Sequence, residues 1–173
     1  MNRLDPVRVS LAGYAGNGDA CRLFHGRGRC YPGLEHLSVD YYHPVVLITL
    51  FAEEAELPDL VACLRDWGMP FGVQGVAVQR RYVRDTPVEV AWGELPRKPI
   101  AREDGLEFGI QLGGRQNPGF FLDMVNARRW VASQAPGQDV LNLFAFTCAF
   151  SVVARAAGAS RVVNLDMAAA ALR

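Results

Sequence analysis

The sequence lacks several features that mark common protein classes. Of its 18 basic residues, only Lys98 is lysine and the rest are arginine. The formal net charge is zero, so the chain lacks the strong positive charge that is typical of an autonomous nucleic-acid binder. Its four cysteines form no Cys-x-x-Cys pair, which argues against a zinc site or a disulfide framework and suits a reducing compartment. The longest apolar run, residues 44–52, is too short to cross a bilayer, and no apolar segment typical of a signal peptide follows the start. These absences predict a cytoplasmic protein without a metal or a membrane segment.

The composition is that of a globular protein. Half of the 173 residues are hydrophobic and 21% are charged. The chain length is enough for one large or two small domains. Charge is divided along the chain: residues 1–111 contain 12 basic and 15 acidic side chains, whereas residues 112–173 contain 6 and 3. Neither part has the charge expected of a dedicated RNA-binding domain.

The first part of the chain predicts a small α+β domain. Residues 1–20 are weakly patterned and predict a loose arm with one short strand. Strands are expected at 21–25, 37–42, 45–51, 73–82, 88–92, 100–103 and 106–112. Residues Leu57 to Trp67 place apolar side chains at helical spacing, which predicts an amphipathic helix with Trp67 in the core. The domain therefore covers 21–112, and paired glycines near 113–114 mark the start of a second domain, 113–173.

The second part predicts a βαβ unit. A helix is expected from Gly119 onward, with Leu122, Val125, Arg129 and Ala132 on one side. Val140 to Phe144 is an apolar run suited to a buried parallel strand, followed by a turn, a helix over 150–157 and a second strand over 162–165. Asp166 ends this second strand, where a carboxylate can accept two hydrogen bonds from a ribose diol.

The turn of this unit narrows the choice of cofactor. It contains no glycine between Asn142 and Gly158, and a dinucleotide pyrophosphate needs glycine for close backbone approach, so NAD and FAD are disfavoured. No Gly-Lys-Ser/Thr sequence follows, which excludes a Walker motif. A cofactor without phosphate, such as S-adenosylmethionine, fits better. The alternative is an ordinary crossover in which Asp166 only caps a helix.

Several segments together resemble one family. The stretch Asn142-Leu-Phe-Ala-Phe-Thr-Cys-Ala-Phe-Ser, followed by Gly158-Ala and Val162-Val-Asn-Leu-Asp-Met, resembles motifs I and II of class I S-adenosylmethionine-dependent methyltransferases. The branch resembled includes the 23S rRNA cytosine-C5 methyltransferases. Further matching segments are Arg22-Leu-Phe-His-Gly, Tyr31-Pro-Gly-Leu-Glu, Trp92-Gly-Glu-Leu-Pro, Glu103-Asp-Gly-Leu-Glu-Phe and Asn117-Pro-Gly-Phe-Phe-Leu-Asp. The resemblance covers most of the chain and implies an α/β fold: a strand-strand-helix-strand-strand domain, then the first part of a Rossmann-like doubly wound domain.

The resemblance also implies a set of cofactor contacts. They fall on Phe121, Asp123, Asn142, Phe144, Thr147, Asp166 and Met167. Asp166 would hold the ribose hydroxyls and Met167 would pack on adenine, since a thioether suits an aromatic face. Phe144 and Phe146 would wall the pocket, with plain core packing as the alternative.

Two departures from the family pattern stand out. Family members often have arginine soon after Phe-Leu-Asp-Met, where this chain has Val125, and either Arg128 or Arg129 is a candidate substitute. The turn has Cys148 where many methyltransferases have glycine. Cys148 is not expected to be a catalytic nucleophile, because the family places that residue much further along.

The resemblance implies that the catalytic apparatus lies beyond this chain. Two parallel strands and one helix cannot close a doubly wound sheet, so one face of residues 140–144 is expected to stay partly uncovered. The expected function is S-adenosylmethionine-dependent methylation of RNA, with ribosomal RNA as the partner, by an enzyme of which this chain is the N-terminal portion. The alternatives are a non-catalytic truncated product, or a module that binds RNA or protein without methyl transfer.

Two arginine groups in the first domain are weaker candidates for RNA contact. The first contains Arg22, Arg27 and Arg29 beside His25, and the second contains Arg80, Arg81 and Arg84 at a strand end. The first group could instead fold back on its own domain. The second could be neutralised by the acids that follow it, Asp85, Glu89 and Glu94.

Overall fold

The computed structural model describes residues 2–113 and 118–167. The chain divides into two compact units, Met1–Pro118 and Gly119–Arg173. Each unit has its own sheet and its own hydrophobic cluster.

A five-stranded sheet forms the centre of the first unit. The elements are α1 (Asp5–Ala12), β1 (Cys21–His25), β2 (Leu37–Tyr42), β3 (Val45–Leu50), α2 (Leu57–Gly68), β4 (Gly75–Arg80), β5 (Val88–Gly93), β6 (Ile100–Glu103) and β7 (Leu106–Gly109). The strand order is β1-β2-β3-β4-β5, with β3 and β4 parallel and the other neighbours antiparallel. The helix α2 connects the parallel pair, and β6 with β7 forms a separate hairpin. The predicted succession of strands, helix and strands is therefore present.

Helix α2 forms where its apolar spacing predicts it. Pro58 lies in the first turn, where its missing N–H breaks no helical hydrogen bond. Leu60 and Leu64 are fully buried against the sheet, and burial of each leucine contributes roughly 1.5–3 kcal/mol. Trp67 is partly buried on the same cluster, and its indole N–H donates to the carbonyl of Leu11 (3.1 Å).

The loose arm expected at the N-terminus is wrong for residues 5–12, which form α1. Leu4, Val7 and Leu11 have the spacing of one helical face and are almost completely buried in the core of the first unit. The Ser10 hydroxyl donates to the carbonyl of Leu23, which ties α1 to β1. Contacts with the sheet stabilise a helix too short to be stable alone.

The second unit contains the predicted βαβ arrangement. Its elements are a 3₁₀ turn (Leu122–Met124), α3 (Val125–Gln134), β8 (Asp139–Leu143), α4 (Ala149–Ala156) and β9 (Arg161–Leu165). β8 and β9 pair in parallel, from Asp139 opposite Arg161 to Leu143 opposite Leu165. A small cluster centred on Ala135, Ala154 and Ala159 packs beneath the pair. The small side chains let the helices approach the strands closely.

One face of the β8–β9 pair is uncovered in the described residues, as expected. Leu141, Leu143, Val163 and Leu165 are 62%, 51%, 40% and 61% exposed. They alternate along the strands and lie opposite each other across the ladder, so they form one continuous apolar surface.

The start of α3 differs from the prediction. Gly119 has a positive φ of 90° and Phe121 is extended, so the helix cannot begin there. The 3₁₀ turn then changes the rotation of the side chains. Of the expected face, Leu122 is buried and Arg129 is exposed. The side of α3 that packs inward carries Arg128, Val131 and Ala135.

Candidate functional site

The turn between β8 and α4 has an unusual backbone. Phe144, Phe146 and Cys148 have φ values of 55°, 48° and 61°, all in the left-handed region. A side chain in this region costs roughly 1–2 kcal/mol, and none of the three is glycine. Such strain persists only where surrounding contacts enforce it, and it concentrates at functional sites. Cys148 thus occupies a position that favours glycine.

Hydrogen bonds from two sides hold this turn. The Phe146 N–H donates to Oδ2 of Asp166 (2.8 Å), and the Ala145 N–H donates to the carbonyl of Leu165 (3.2 Å). The Thr147 hydroxyl donates to the carbonyl of Gly119. The turn is therefore tied both to the end of β9 and to the segment before α3. Asp166, predicted to bind a ribose, also organises the turn.

A cavity of about 360 Å³ lies beside the turn, within the second unit. Its lining consists of Gly119, Phe121, Asp123, Met124, Arg128, Phe144, Ala145, Phe146, Thr147, Ala149 and Phe150. The rings of Phe121 and Phe146 lie 5.5 Å apart between centroids, so part of the wall is aromatic. The size and the mostly apolar lining with a few polar groups are those of a small-molecule site.

Arg128 provides a buried cation at this cavity. The residue is only 1% exposed, and its Nη1 donates to the carbonyl of Phe121 (2.9 Å). Its guanidinium carbon lies 4.2 Å from the ring centroid of Phe120. Of the two arginines considered from the sequence, Arg128 lines the cavity and Arg129 is exposed. A positive charge held here can attract a carboxylate or another anionic group.

The predicted contact residues fall into two groups. Phe121, Asp123, Phe144 and Thr147 line the cavity; Asn142, Asp166 and Met167 are not among its lining residues. The Asn142 amide donates to the hydroxyl of Ser151 (2.8 Å) and to Asn164 Oδ1 (3.2 Å). That network joins both strands to α4. Met167 is 95% exposed, and contact of all seven residues with a cofactor stays a prediction.

Sequence reasoning missed part of the wall. Met124, Ala149 and Phe150 line the cavity, and the available signal was their position: Ala149 and Phe150 lie within one matching segment and Met124 directly follows another. A side chain's direction at such positions depends on the 3₁₀ turn and on the left-handed residues, neither of which has a clear sequence signature here.

The thiol of Cys148 is poorly suited to act as a nucleophile. Burial, together with the negative charge of Asp166, raises the pKa of this thiol above its usual value. The protonated form is the weaker nucleophile. That Cys148 is no catalytic nucleophile stays a prediction.

The described residues contain neither a metal site nor a membrane-spanning helix. Over residues 2–113 and 118–167, no group of three His, Cys, Asp or Glu side chains is placed to hold a metal ion. In the same ranges, no helix is long and apolar enough to cross a membrane.

A parallel βαβ pair with a cavity at its strand-to-helix turn, and an acid after the second strand, defines a Rossmann-like protein of the kind that binds a nucleoside cofactor. Comparison with known proteins identifies the family. The family sequence model of the S-adenosylmethionine-dependent methyltransferases matches residues 21–173, so the chain belongs to that family.

Individual relatives agree with this assignment. The chain is 32% identical over 172 residues to a ribosomal RNA large subunit methyltransferase of Deinococcus radiodurans, covering 91% of this chain and 40% of that protein. It is 29% identical over 147 residues to the ribosomal RNA large subunit methyltransferase I of Vibrio cholerae, covering 81% and 37%. A solved structure of a candidate methyltransferase in complex with S-adenosylhomocysteine has a TM-score of 0.79 at 26% identity. The match covers 98% of this chain and 44% of that chain. The chain thus spans about 40% of the length of the curated relatives it matches.

Proposed function

We propose that this chain forms the cofactor-binding part of an enzyme that transfers a methyl group from S-adenosylmethionine to a base of ribosomal RNA. The observation that carries the proposal is the cavity beside the strained turn 144–148, which Asp166 holds in place. Family membership supports the cofactor, and the names of the relatives support the RNA. A ribosomal RNA substrate in turn favours a cytoplasmic location.

The cavity residues suit the chemical groups of this cofactor. It carries an amino-acid end, a ribose diol and an adenine but no phosphate, which matches a turn without glycine. The Arg128 guanidinium, which lines the cavity, would attract the carboxylate. Asp166 lies outside the cavity lining, in contact with the turn through the Phe146 N–H, and would accept hydrogen bonds from the ribose hydroxyls. The rings of Phe121 and Phe146 would exclude water from one side of the site.

When bound, the cofactor supplies a methyl group on a positively charged sulfur. The residues of this chain would contribute positioning, since holding two reactants in a fixed geometry removes much of the entropic barrier. The aromatic wall would keep water away from the sulfonium centre. We assign the catalytic step to no residue of this chain.

Calorimetric titration with S-adenosylhomocysteine (SAH) tests the cofactor proposal. The unaltered chain should bind, and Asp166→Ala should bind at least about tenfold more weakly because a hydrogen bond to a charged group contributes roughly 1.5–3 kcal/mol. Asp139→Ala is the matched control: it removes the same charge from the same pair of strands, at the exposed start of β8. This control should bind like the unaltered chain.

A further variant separates two roles of Asp166. Asp166→Asn keeps an acceptor for the Phe146 N–H but loses the negative charge, so it should preserve the turn while weakening the contact with a ribose diol. Equal SAH affinity for Asp166→Ala, Asp139→Ala and the unaltered chain would contradict the proposed site. Loss of binding by Asp166→Ala with full binding by Asp166→Asn would leave Asp166 with the positioning role alone.

A further inference from the structure

Three strands of the first unit end at the same edge of the sheet. β1 and β3 both run antiparallel to β2, and β4 runs parallel to β3, so the carboxyl ends of β1, β3 and β4 point the same way. Arg27 lies in the loop after β1, Phe51 directly follows β3 and Arg81 directly follows β4. The two arginine groups seen separately in the sequence thus meet at one edge.

Both arginines contact the same aromatic ring. The guanidinium carbon of Arg27 lies 4.4 Å from the ring centroid of Phe51, and that of Arg81 lies 5.2 Å from it. The Phe51 N–H donates to the carbonyl of His36 and the Arg81 N–H to that of Leu50, both at 2.8 Å. Each cation–π contact contributes roughly 0.5–1 kcal/mol at an exposed site. It restricts the guanidinium without neutralising its charge.

The charges at this edge are distributed unevenly. Two other arginines nearby form ion pairs, Arg22 with Asp40 and Arg80 with Glu89. In the described part of the chain, neither Arg27 nor Arg81 has a carboxylate within 4.0 Å. The same holds for Arg29 and Arg84, in the same loops.

Acidic side chains close in sequence do not cancel this charge by direct pairing. Glu54 is buried, where Arg3 and His36 both bind its carboxylate. Glu53 and Asp85 are exposed and form no ion pair in the described residues. A small positive surface is therefore present in a unit whose total charge is slightly negative.

We infer that Arg27 and Arg81, held on Phe51, bind backbone phosphates of single-stranded RNA. The inference rests on the proposed function for its partner and adds a contact surface in the first unit. The guanidinium fork matches the oxygens of a phosphate, and sites for single strands combine positive charge along the backbone with aromatic side chains. Contacts with phosphates carry no base information, so binding at this surface is independent of sequence.

Fluorescence anisotropy with a labelled single-stranded RNA of mixed sequence tests this surface over a series of NaCl concentrations. The double variant Arg27→Ala/Arg81→Ala should bind about tenfold or more weakly than the unaltered chain. The slope of log affinity against log salt should fall by about 1.4, since each phosphate contact on a single strand contributes about 0.7. Arg27→Lys/Arg81→Lys keeps both charges and should retain most of the slope.

The matched control is Arg8→Ala/Arg65→Ala. It removes two arginines from helices of the same unit, and both are paired with acids there, Arg8 with Asp5 and Arg65 with Asp66. Its RNA affinity should stay within about twofold of the unaltered chain, because these two charges are already offset by a neighbouring carboxylate. Equal weakening by the control and the test variant would overturn the inference in favour of a general charge effect.

The outcomes separate this inference from the proposed function. Unchanged RNA binding by the Arg27/Arg81 alanine variant overturns the inference alone. Absence of RNA binding by the unaltered chain overturns it together with the RNA part of the proposed function. SAH titration of the same variant should match the unaltered chain, because the substitutions lie outside the second unit and its cavity. A matching circular dichroism spectrum shows that the variant is folded.

Discussion

Replacement of Arg128 by methionine tests whether a buried cation organises the cavity of the second unit. Methionine keeps much of the length and apolar stem of arginine but loses its donors and its charge. The lost hydrogen bond to the Phe121 carbonyl is worth roughly 1.5–3 kcal/mol because the donor is charged. The lost contact with the Phe120 ring adds about 0.5–2 kcal/mol. Since methionine regains part of this by apolar packing, we expect a net destabilisation of about 2–4 kcal/mol.

Hydrogen exchange measured by mass spectrometry gives a readout local to the second unit. Protection of peptides covering 119–135 and 149–157 should fall by about 30- to 1,000-fold, since 1.4 kcal/mol is a factor of ten. Peptides from β2 and β3 should not change, because they belong to the other unit. Arg129→Met is the matched control at an exposed neighbour and should cost less than about 1 kcal/mol. Equal protection in Arg128→Met and the unaltered chain would refute the organising role of Arg128.

Three other predictions concern charge, backbone and thiol chemistry. Burial opposes ionisation of Glu54, but hydrogen bonds from the Glu56 N–H, Arg3 and His36 outweigh this effect and lower the pKa of the carboxyl. The stability that the ionised carboxylate contributes is present above its ordinary pKa of 4.5 and is lost as the pH falls through the lowered pKa of the folded protein. Urea denaturation should therefore show Glu54→Gln to be less stable by about 1.5–3 kcal/mol at pH 7, and a gap that persisted at pH 2 would contradict this. Cys148→Val should lower stability by about 1–2 kcal/mol and Cys148→Gly should not, because a branched side chain adds to the strain at positive φ whereas glycine relieves it; equal melting of the two variants would argue against a strained turn. In iodoacetamide labelling at pH 7, the exposed Cys30 should react faster than Cys148 and Cys21, since burial raises the pKa of both thiols, that of Cys21 to about 11; faster labelling of Cys148 would count against this.

The sequence predicted the elements whose signals are local. The spacing of Leu57 to Trp67 placed α2, because burial of one helical face dictates that pattern. The apolar run before the turn placed β8, although the expected burial of this strand is not found: its residues are exposed or half-buried in the described part of the chain. Asp166 was found because it follows a strand. These signals need only a few neighbouring residues.

The features that depend on distant contacts were missed or left open. Helix α1 exists because Leu4, Val7 and Leu11 pack on a sheet formed later in the chain. The choice between Arg128 and Arg129 depended on a 3₁₀ turn that shifts the rotation of α3. The meeting of Arg27 and Arg81 on Phe51 depends on strand order, which the local pattern does not contain.

The backbone of residues 144–148 has a consequence for the thermodynamics of ligand binding. Fixing the backbone of one residue costs roughly 1–2 kcal/mol of conformational entropy at room temperature. In this turn, bonds to Asp166, Leu165 and Gly119 already impose that order in the free protein. A molecule that enters the cavity therefore meets a turn that is already ordered, and its affinity is not reduced by the ordering of that turn. The entropic cost of ordering this turn is therefore incurred when the chain folds and not when the ligand binds.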